Sequence, residues 1–252
     1  MTTKRSLLTI ALLCTMAALA AVAQAADKLA NVKTIGVISA LGDTLYNVQT
    51  GVTAFDNDAS TTAVADWTLD EFLIAETAAL LAGRFAIKPV AYNRADFTPE
   101  PSEWRGHSEL DVEVKIALAR PADGGPIDAY VVVHNIVNGD MFGLTNQRFY
   151  AAGLHHRDGM FDVDLDGIFI SAMLTLVDAR TGKEIDRSVF LIPGGESLFI
   201  KVTPAHRVLK DLWGENFAMT PEQREKAHAE FKSLIQEALA TSLRRVDMLP
   251  KQ

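Results

Sequence analysis

The sequence predicts an α/β (α+β) fold: a single mixed β-sheet with a long central hairpin, helices packed on it and a C-terminal amphipathic helix. Three observations lead there. Residues 168–177 are apolar on both alternating faces, Ile168, Ile170, Ala172, Leu174 and Leu176 on one and Phe169, Met173 and Val177 on the other. That is the pattern of an interior strand covered from both sides. Asp178-Ala179-Arg180-Thr181-Gly182-Lys183 then reads as a turn, with Asp suited to its first position and Gly182 to a positive φ, and residues 184–192 return as the partner strand. Finally, Ala227, Phe231, Leu234, Ile235, Ala238, Leu239, Leu243 and Val246 recur at helical spacing. They follow Thr220-Pro221-Glu222-Gln223, a capping box with proline at the first helical position.

The elements before the hairpin follow in order. Residues 31–41 predict a first strand, which Gly42-Asp43 turns into a second over 44–55, and residues 56–60 form a polar loop. Thr68-Leu69-Asp70-Glu71 predicts another capping box. The helix behind it lines up Leu69, Phe72, Leu73 and Leu80, with Glu76 as the exception in the stripe, and Gly83 stops it. Residues 85–92 predict a strand that Pro89 confines to an edge or a bulge. Ser108 can cap a helix with Leu110, Val114 and Ala117 inward, while the alternation of Leu110, Val112, Val114, Ile116 and Leu118 equally fits a strand. Residues 127–135 predict a buried strand and 147–153 another. After the hairpin, Pro193-Gly194-Gly195 ends the return strand, and Thr203-Pro204 predicts a short helix holding Val208, Leu209 and Leu212.

The N-terminus reads as a secretory signal peptide over residues 1–25. Lys4 and Arg5 form a positive start, residues 7–22 are apolar and uncharged, and Ala23-Gln24-Ala25 is a small-x-small cleavage site. The apolar run is short for a membrane span, and no transmembrane segment is expected after cleavage. Cys14, the one cysteine of the chain, lies inside this run behind Leu13, where lipoprotein processing needs a small residue. The chain is therefore expected to be periplasmic or secreted, not lipidated, with residues 26–252 as one α/β domain free of disulfides. Cleavage removes two of the 24 basic residues and none of the 32 acidic ones, moving the formal charge from −8 to −10. An acidic domain with no basic stripe argues against nucleic acid and against an anionic membrane surface as partners.

Candidate chemistry is sparse. Phe161, Val163 and Leu165 alternate with Asp162, Asp164 and Asp166 before Gly167. Oxygen ligands at alternate positions followed by glycine match the opening of a Ca²⁺ loop, but Met173 stands where the bidentate Glu is needed. The competing reading is a strand end with solvated aspartates and a β-bulge at Gly167. His155, His156 and Asp158 offer metal or acid–base groups, with His107 or His206 as candidates to join them. Adjacent histidines on an extended chain point to opposite faces, so a plain polar loop over 153–159 competes here too. His134 shares a strand face with Tyr130 and Val132 and reads as a core or half-buried histidine. Trp213 and Phe217 form either a partner-binding patch or core packing. G-x-S-x-G, G-x-G-x-x-G, H-E-x-x-H and phosphate-loop patterns are absent, and no cofactor is expected.

Two phrases carry a family resemblance. Ala82-Gly83-Arg84-Phe85-Ala86-Ile87 joins a helix to a strand, and residues 176–185 (LVDARTGKEI) form strand, turn and strand. Both resemble bacterial envelope α/β domains: the N-terminal domain of TolB, periplasmic activators of penicillin-binding proteins and the curli secretion channel subunit. The resemblance covers residues 33–248 in outline and those phrases in detail. It departs in lacking a lipidated cysteine and in a longer stretch over 142–166. It implies a non-enzymatic periplasmic binding or accessory protein that acts on an envelope protein partner. The alternative is a small exported hydrolase or metal-binding protein with its site near His155, His156 and residues 162–166. The sequence leaves the oligomeric state open.

Overall fold

The computed structural model describes residues 28–51, 57–99, 110–139, 141–142, 147–158, 165–194 and 202–250. The chain runs β1 (Thr34–Ala40), β2 (Thr44–Thr50), β3 (Asp58–Ala63), α1 (Leu69–Leu81), β4 (Ala86–Lys88), β5 (Val90–Ala91), α2 (Val112–Lys115), β6 (Arg120–Pro121), β7 (Ala129–Asn135), β8 (Val137–Asn138), β9 (Phe149–Arg157), β10 (Leu165–Asp178), β11 (Glu184–Val189), β12 (Leu191–Pro193), β13 (Val202–Pro204), β14 (His206–Val208) and α3 (Pro221–Arg245). Ten of the strands form one mixed sheet, so the predicted α/β class and the helix-covered sheet are what the chain builds.

The sheet is organised by β10. Its first half, 165–171, pairs antiparallel with β9, and its second half, 172–178, pairs antiparallel with β7. On the other edge it meets β14 over 167–169 and β11 over 173–177. Two half-sheets thus share one strand. One continues from β9 through β2 to β3, and the other from β7 through β1 to β4. β1 is parallel to both β4 and β7, and β2 is parallel to β9. A sheet that branches from one long strand must curl, because each half keeps its own twist.

The apolar residues of β10 face both ways, as the sequence requires. Ile168, Ile170, Ala172, Leu174 and Leu176 enter the main core, with Leu69, Leu73 and Leu81 of α1 and Phe231, Leu234, Ile235, Ala238 and Leu239 of α3. Val177 joins a second cluster on the opposite face with Ile38, Tyr130, Val132, Phe97, Val112 and Ile116. Phe169 joins a third with Phe149 and Met141. At the start of α3, the Thr220 hydroxyl accepts from the Gln223 amide at 3.2 Å, and the Gln223 side chain accepts from the Thr220 amide at 2.9 Å. That satisfies two of the amides left open at a helix start.

Several local expectations give way to tertiary constraints. Gly42-Asp43 does not make a hairpin; β1 and β2 leave for different half-sheets, and residues 58–63, partly assigned to a loop, form edge strand β3 on β2. Thr68 lies at φ 48°, and its side chain caps nothing. Asp70 is turned instead toward the end of β1, where it accepts from Ser39 Oγ at 2.6 Å and from the Leu41 amide at 2.8 Å. Each of those buried donors would cost about 1–3 kcal/mol if left unpaired. The inward stripe of α1 is accordingly Leu69, Leu73, Thr77 and Leu81, with Phe72 and Leu80 only half-buried.

α2 is a short turn capped by Asp111, with Val112 buried; Val114 is exposed, not inward. Residues 203–208 are strands, not a helix, because Ala205 accepts from the Ile170 amide and donates to the Phe190 carbonyl, which holds it in the gap between β11 and β14. Gly167 shows no bulge: the register with β9 runs unbroken from 165 to 171, and the irregularity lies at Leu176/Val177. Glycine is required at 167 for close approach, since a Cβ there would strike the Phe142 ring and, at 2.9 Å, the Arg207 carbonyl. Pro89 separates β4 at the sheet edge from β5, as its missing N–H demands.

Gly153 in β9 has the tightest surroundings. A Cβ there would run into the Tyr46 carbonyl oxygen and the Phe169 ring, whereas one at Gly139 meets nothing. Gly153→Ala should lower stability by about 3 kcal/mol or prevent folding, while Gly139→Ala should stay within about 0.5 kcal/mol. Urea unfolding of the two variants measures the contrast.

Candidate functional site

Three of the predicted polar residues come together where β9 ends and β10 begins. His156 on β9 is the register partner of Asp166 on β10. Its Nδ1 is 2.7 Å from Asp166 Oδ1, and its Nε2 is 3.0 Å from Asp158 Oδ1. Carboxylates only accept, so both ring nitrogens donate in this arrangement and the ring is an imidazolium. Burial pulls its pKa down, but the hydrogen bonds to Asp166 and Asp158 outweigh that and leave it raised above the usual 6.5. A ring held this way has no lone pair to offer a metal or a substrate proton. It is a charged clamp between the end of β9 and the start of β10.

The clamp lines a cleft of about 360 Å³, which it shares with Gln49, Glu215, Trp213 and Phe217. Trp213 and Phe217 are buried, at 8% and 6% exposure, with ring centroids 5.9 Å apart. They form a wall of the cleft and belong to the main core. The backbone around them is strained, with positive φ at Asp211, Asn216 and Phe217.

His155 points the other way, as the pleat of β9 dictates. It is buried, with Nε2 3.2 Å from Thr50 Oγ1 and its ring against Phe142 and Phe149 at 4.6 and 5.1 Å. His206 is half-buried, with Nδ1 2.9 Å from the Pro204 carbonyl and its ring centroid 4.8 Å from that of Phe142. Asp162, Asp164, His107, Cys14 and the leader lie outside the described residues. Among the described residues no group of three or more His, Cys, Asp or Glu is arranged to hold a metal ion, and no helix is long and apolar enough to cross a membrane.

A larger cleft, about 790 Å³, opens on the sheet face opposite α1 and α3, and the sequence reading did not anticipate it. Its floor is the carboxyl end of β7, where His134 and Asn135 follow the wholly buried Ala129 to Val133. Met173 and Thr175 of β10, Arg187 and Val189 of β11, the start of α2 and Arg148 line the rest. His134, expected as a core or half-buried histidine, is buried, and burial lowers its pKa, which keeps the ring neutral. The available signal was the pair of polar residues closing an otherwise apolar strand.

The chain matches no protein-family model and no curated protein sequence.

The clamp fixes a pH dependence. Because the folded pKa of His156 lies above 6.5, its contribution to stability is complete below about pH 6.5 and is lost as pH rises through the folded value. His134 and His228, both lowered chiefly by burial, act oppositely and lose stability as pH falls below 6.5. In melting curves from pH 5.5 to 9, His156→Gln should show a shallower fall on the alkaline side than the parent chain. Parallel curves would mean that the ion pairs are not formed.

Proposed function

We propose that the chain is an exported, non-enzymatic binding or accessory protein of a bacterial envelope, periplasmic or secreted, acting through contact with a protein partner. The observation that carries this reading is a pair of exposed apolar side chains. Val114 and Leu118 are 64% and 51% exposed, four residues apart on α2 and the 3-10 turn that follows it, directly after Leu110, Asp111, Val112 and Glu113, which line the larger cleft. Their spacing sets them on one side of a helical turn. Two neighbouring apolar side chains in water beside a groove suit a transient contact surface more than a solvated one. The leader segment and the resemblance to envelope domains point the same way. The clamp at His156 weighs against the alternative hydrolase or metal-binding reading, because its acid–base groups are consumed in binding one another.

The test uses the mature chain, residues 26–252, immobilised and mixed with detergent-solubilised envelope from its own organism, with calcium and with chelator. One stoichiometric partner is expected in both conditions. It should be lost from Val114→Asp/Leu118→Asp, whose melting temperature should stay within 2–3 °C of the parent, as expected of surface substitutions. Absence of any partner, together with a metal retained by the purified chain, would overturn the proposal in favour of the alternative.

A further inference from the structure

The edges of the sheet are guarded unequally. β4 and β14 are each three residues long. β11 is longer, but its outer edge is occupied: Asp186 Oδ1 holds the Arg187 amide at 2.9 Å, Glu113 holds the Glu184 amide at 2.8 Å, and Ser242 of α3 binds the Val189 carbonyl at 3.2 Å. Short strands, charges and covering elements keep an edge from pairing with another chain. β3 lacks them along its middle. It has six residues, Asp-Ala-Ser-Thr-Thr-Ala, with no proline or lysine, and all but the half-buried Thr62 are exposed. Among the described residues its only ladder partner is β2.

The phase of that ladder shows which groups are open. The Val64 amide donates to the Asp43 carbonyl at 2.7 Å, so Asp58, Ser60 and Thr62 turn their backbone groups toward β2. Ala59, Thr61 and Ala63 therefore turn theirs outward. The Ala59 amide is held by Asp58 Oδ1 at 2.8 Å, and the Ala63 carbonyl by Arg224 Nη2 at 3.2 Å. Between them, the Thr61 amide and carbonyl have no partner among the described residues. The edge is open at its centre and closed at its two ends by groups of opposite charge.

Such an edge is complementary to itself. In an antiparallel pairing of two copies centred on Thr61, Thr61 faces Thr61, and Ala59 of each copy faces Ala63 of the other. The Ala59 amide and the Ala63 carbonyl, each capped in the single chain, then become one another's partners. The displaced caps are the Asp58 carboxylate of one copy and the Arg224 guanidinium of the other. Both lie on the helix-covered face of the sheet, since Asp58 alternates with Ser60 and Thr62, which face Asn47 and Leu45 of β2, and Leu45 belongs to the core under α3. Pairing thus exchanges side-chain caps for backbone hydrogen bonds and brings the freed caps together as an ion pair. A foreign strand would have to carry its own acid and base at this spacing, whereas a second copy has them by symmetry.

We propose that β3 is a self-association edge, pairing antiparallel with β3 of a second copy about a two-fold axis at Thr61. The small side chains of the strand offer little apolar area, so the dimer is weak and forms with rising concentration. This surface is separate from Val114 and Leu118, and the inference does not rest on the envelope-partner reading.

The experiment is sedimentation equilibrium of residues 26–252 from low micromolar to millimolar concentration, with amide hydrogen exchange at both ends of the range. A monomer–dimer equilibrium is expected, with the Thr61 and Ala63 amides exchanging more slowly at high concentration. Thr61→Pro removes only an outward amide, which an edge strand tolerates, and Thr61→Asp sets two like charges face to face on the axis. Each should weaken the dimer tenfold or more, while Val114→Asp/Leu118→Asp should leave it unchanged. Thr61→Asp, whose side chain lies in solvent, decides the matter alone if Thr61→Pro does not fold. A chain that stays monomeric throughout, a dimer that survives Thr61→Asp, or one that Val114→Asp/Leu118→Asp dissolves would each overturn the proposal.

Discussion

Everything in this fold depends on one strand having four partners. β10 satisfies its backbone against β9 and β7 on one edge and against β14 and β11 on the other. A buried strand with unpaired amides is untenable, so the path of the chain on either side of β10 is constrained. The segment at 203–208 must be extended to fill the edge beside 167–169, whatever its local preference. β1 and β2, although adjacent in sequence, must part company to reach different half-sheets. The branching also leaves two places where the sheet cannot be covered evenly, and the two clefts lie there. Asp166 of β10 lines one, and Met173 and Thr175 line the other.

Electrostatics then gives the two clefts different characters. At the first, His156 is surrounded by carboxylates and satisfied by them, so its charge is spent on joining β9 to β10. At the second, His134 is buried, and burial keeps its ring neutral. The first arrangement is closed on itself. The second lies beside the start of α2, after which Val114 and Leu118 are exposed.

The sequence made the long elements legible. The two-faced apolar pattern of residues 168–177, the D-x-x-T-G turn with Gly182 at φ 70° and the capping box at Thr220 each specify one structure locally, and the tertiary fold agrees with them. Where local and tertiary preferences compete, the local signal misleads. Thr68-x-x-Glu71 has the composition of a cap, but the neighbouring Asp70 gains more by binding the end of β1. The alternation around Val114 fits either structure because only a single turn forms there and half of it stays in solvent. Gly167 is read as a bulge from its phase, although its reason is the Phe142 ring brought from elsewhere in the chain. Of the site, the meeting of His156, Asp158 and Asp166 follows from a short hairpin and was legible as a cluster. The grouping of Arg148, Arg187 and His134 arises from three strands meeting in space, which spacing along the chain does not record.

The claim that β10 is the common member of both half-sheets is tested most directly by native-state hydrogen exchange along that strand. Amides on either side of the Ser171/Ala172 boundary should exchange only through global unfolding, with one shared free energy and one shared denaturant dependence. If residues 165–171 open with β9 at a distinctly lower free energy while residues 172–178 stay protected with β7, the half-sheets are independent units and the account fails.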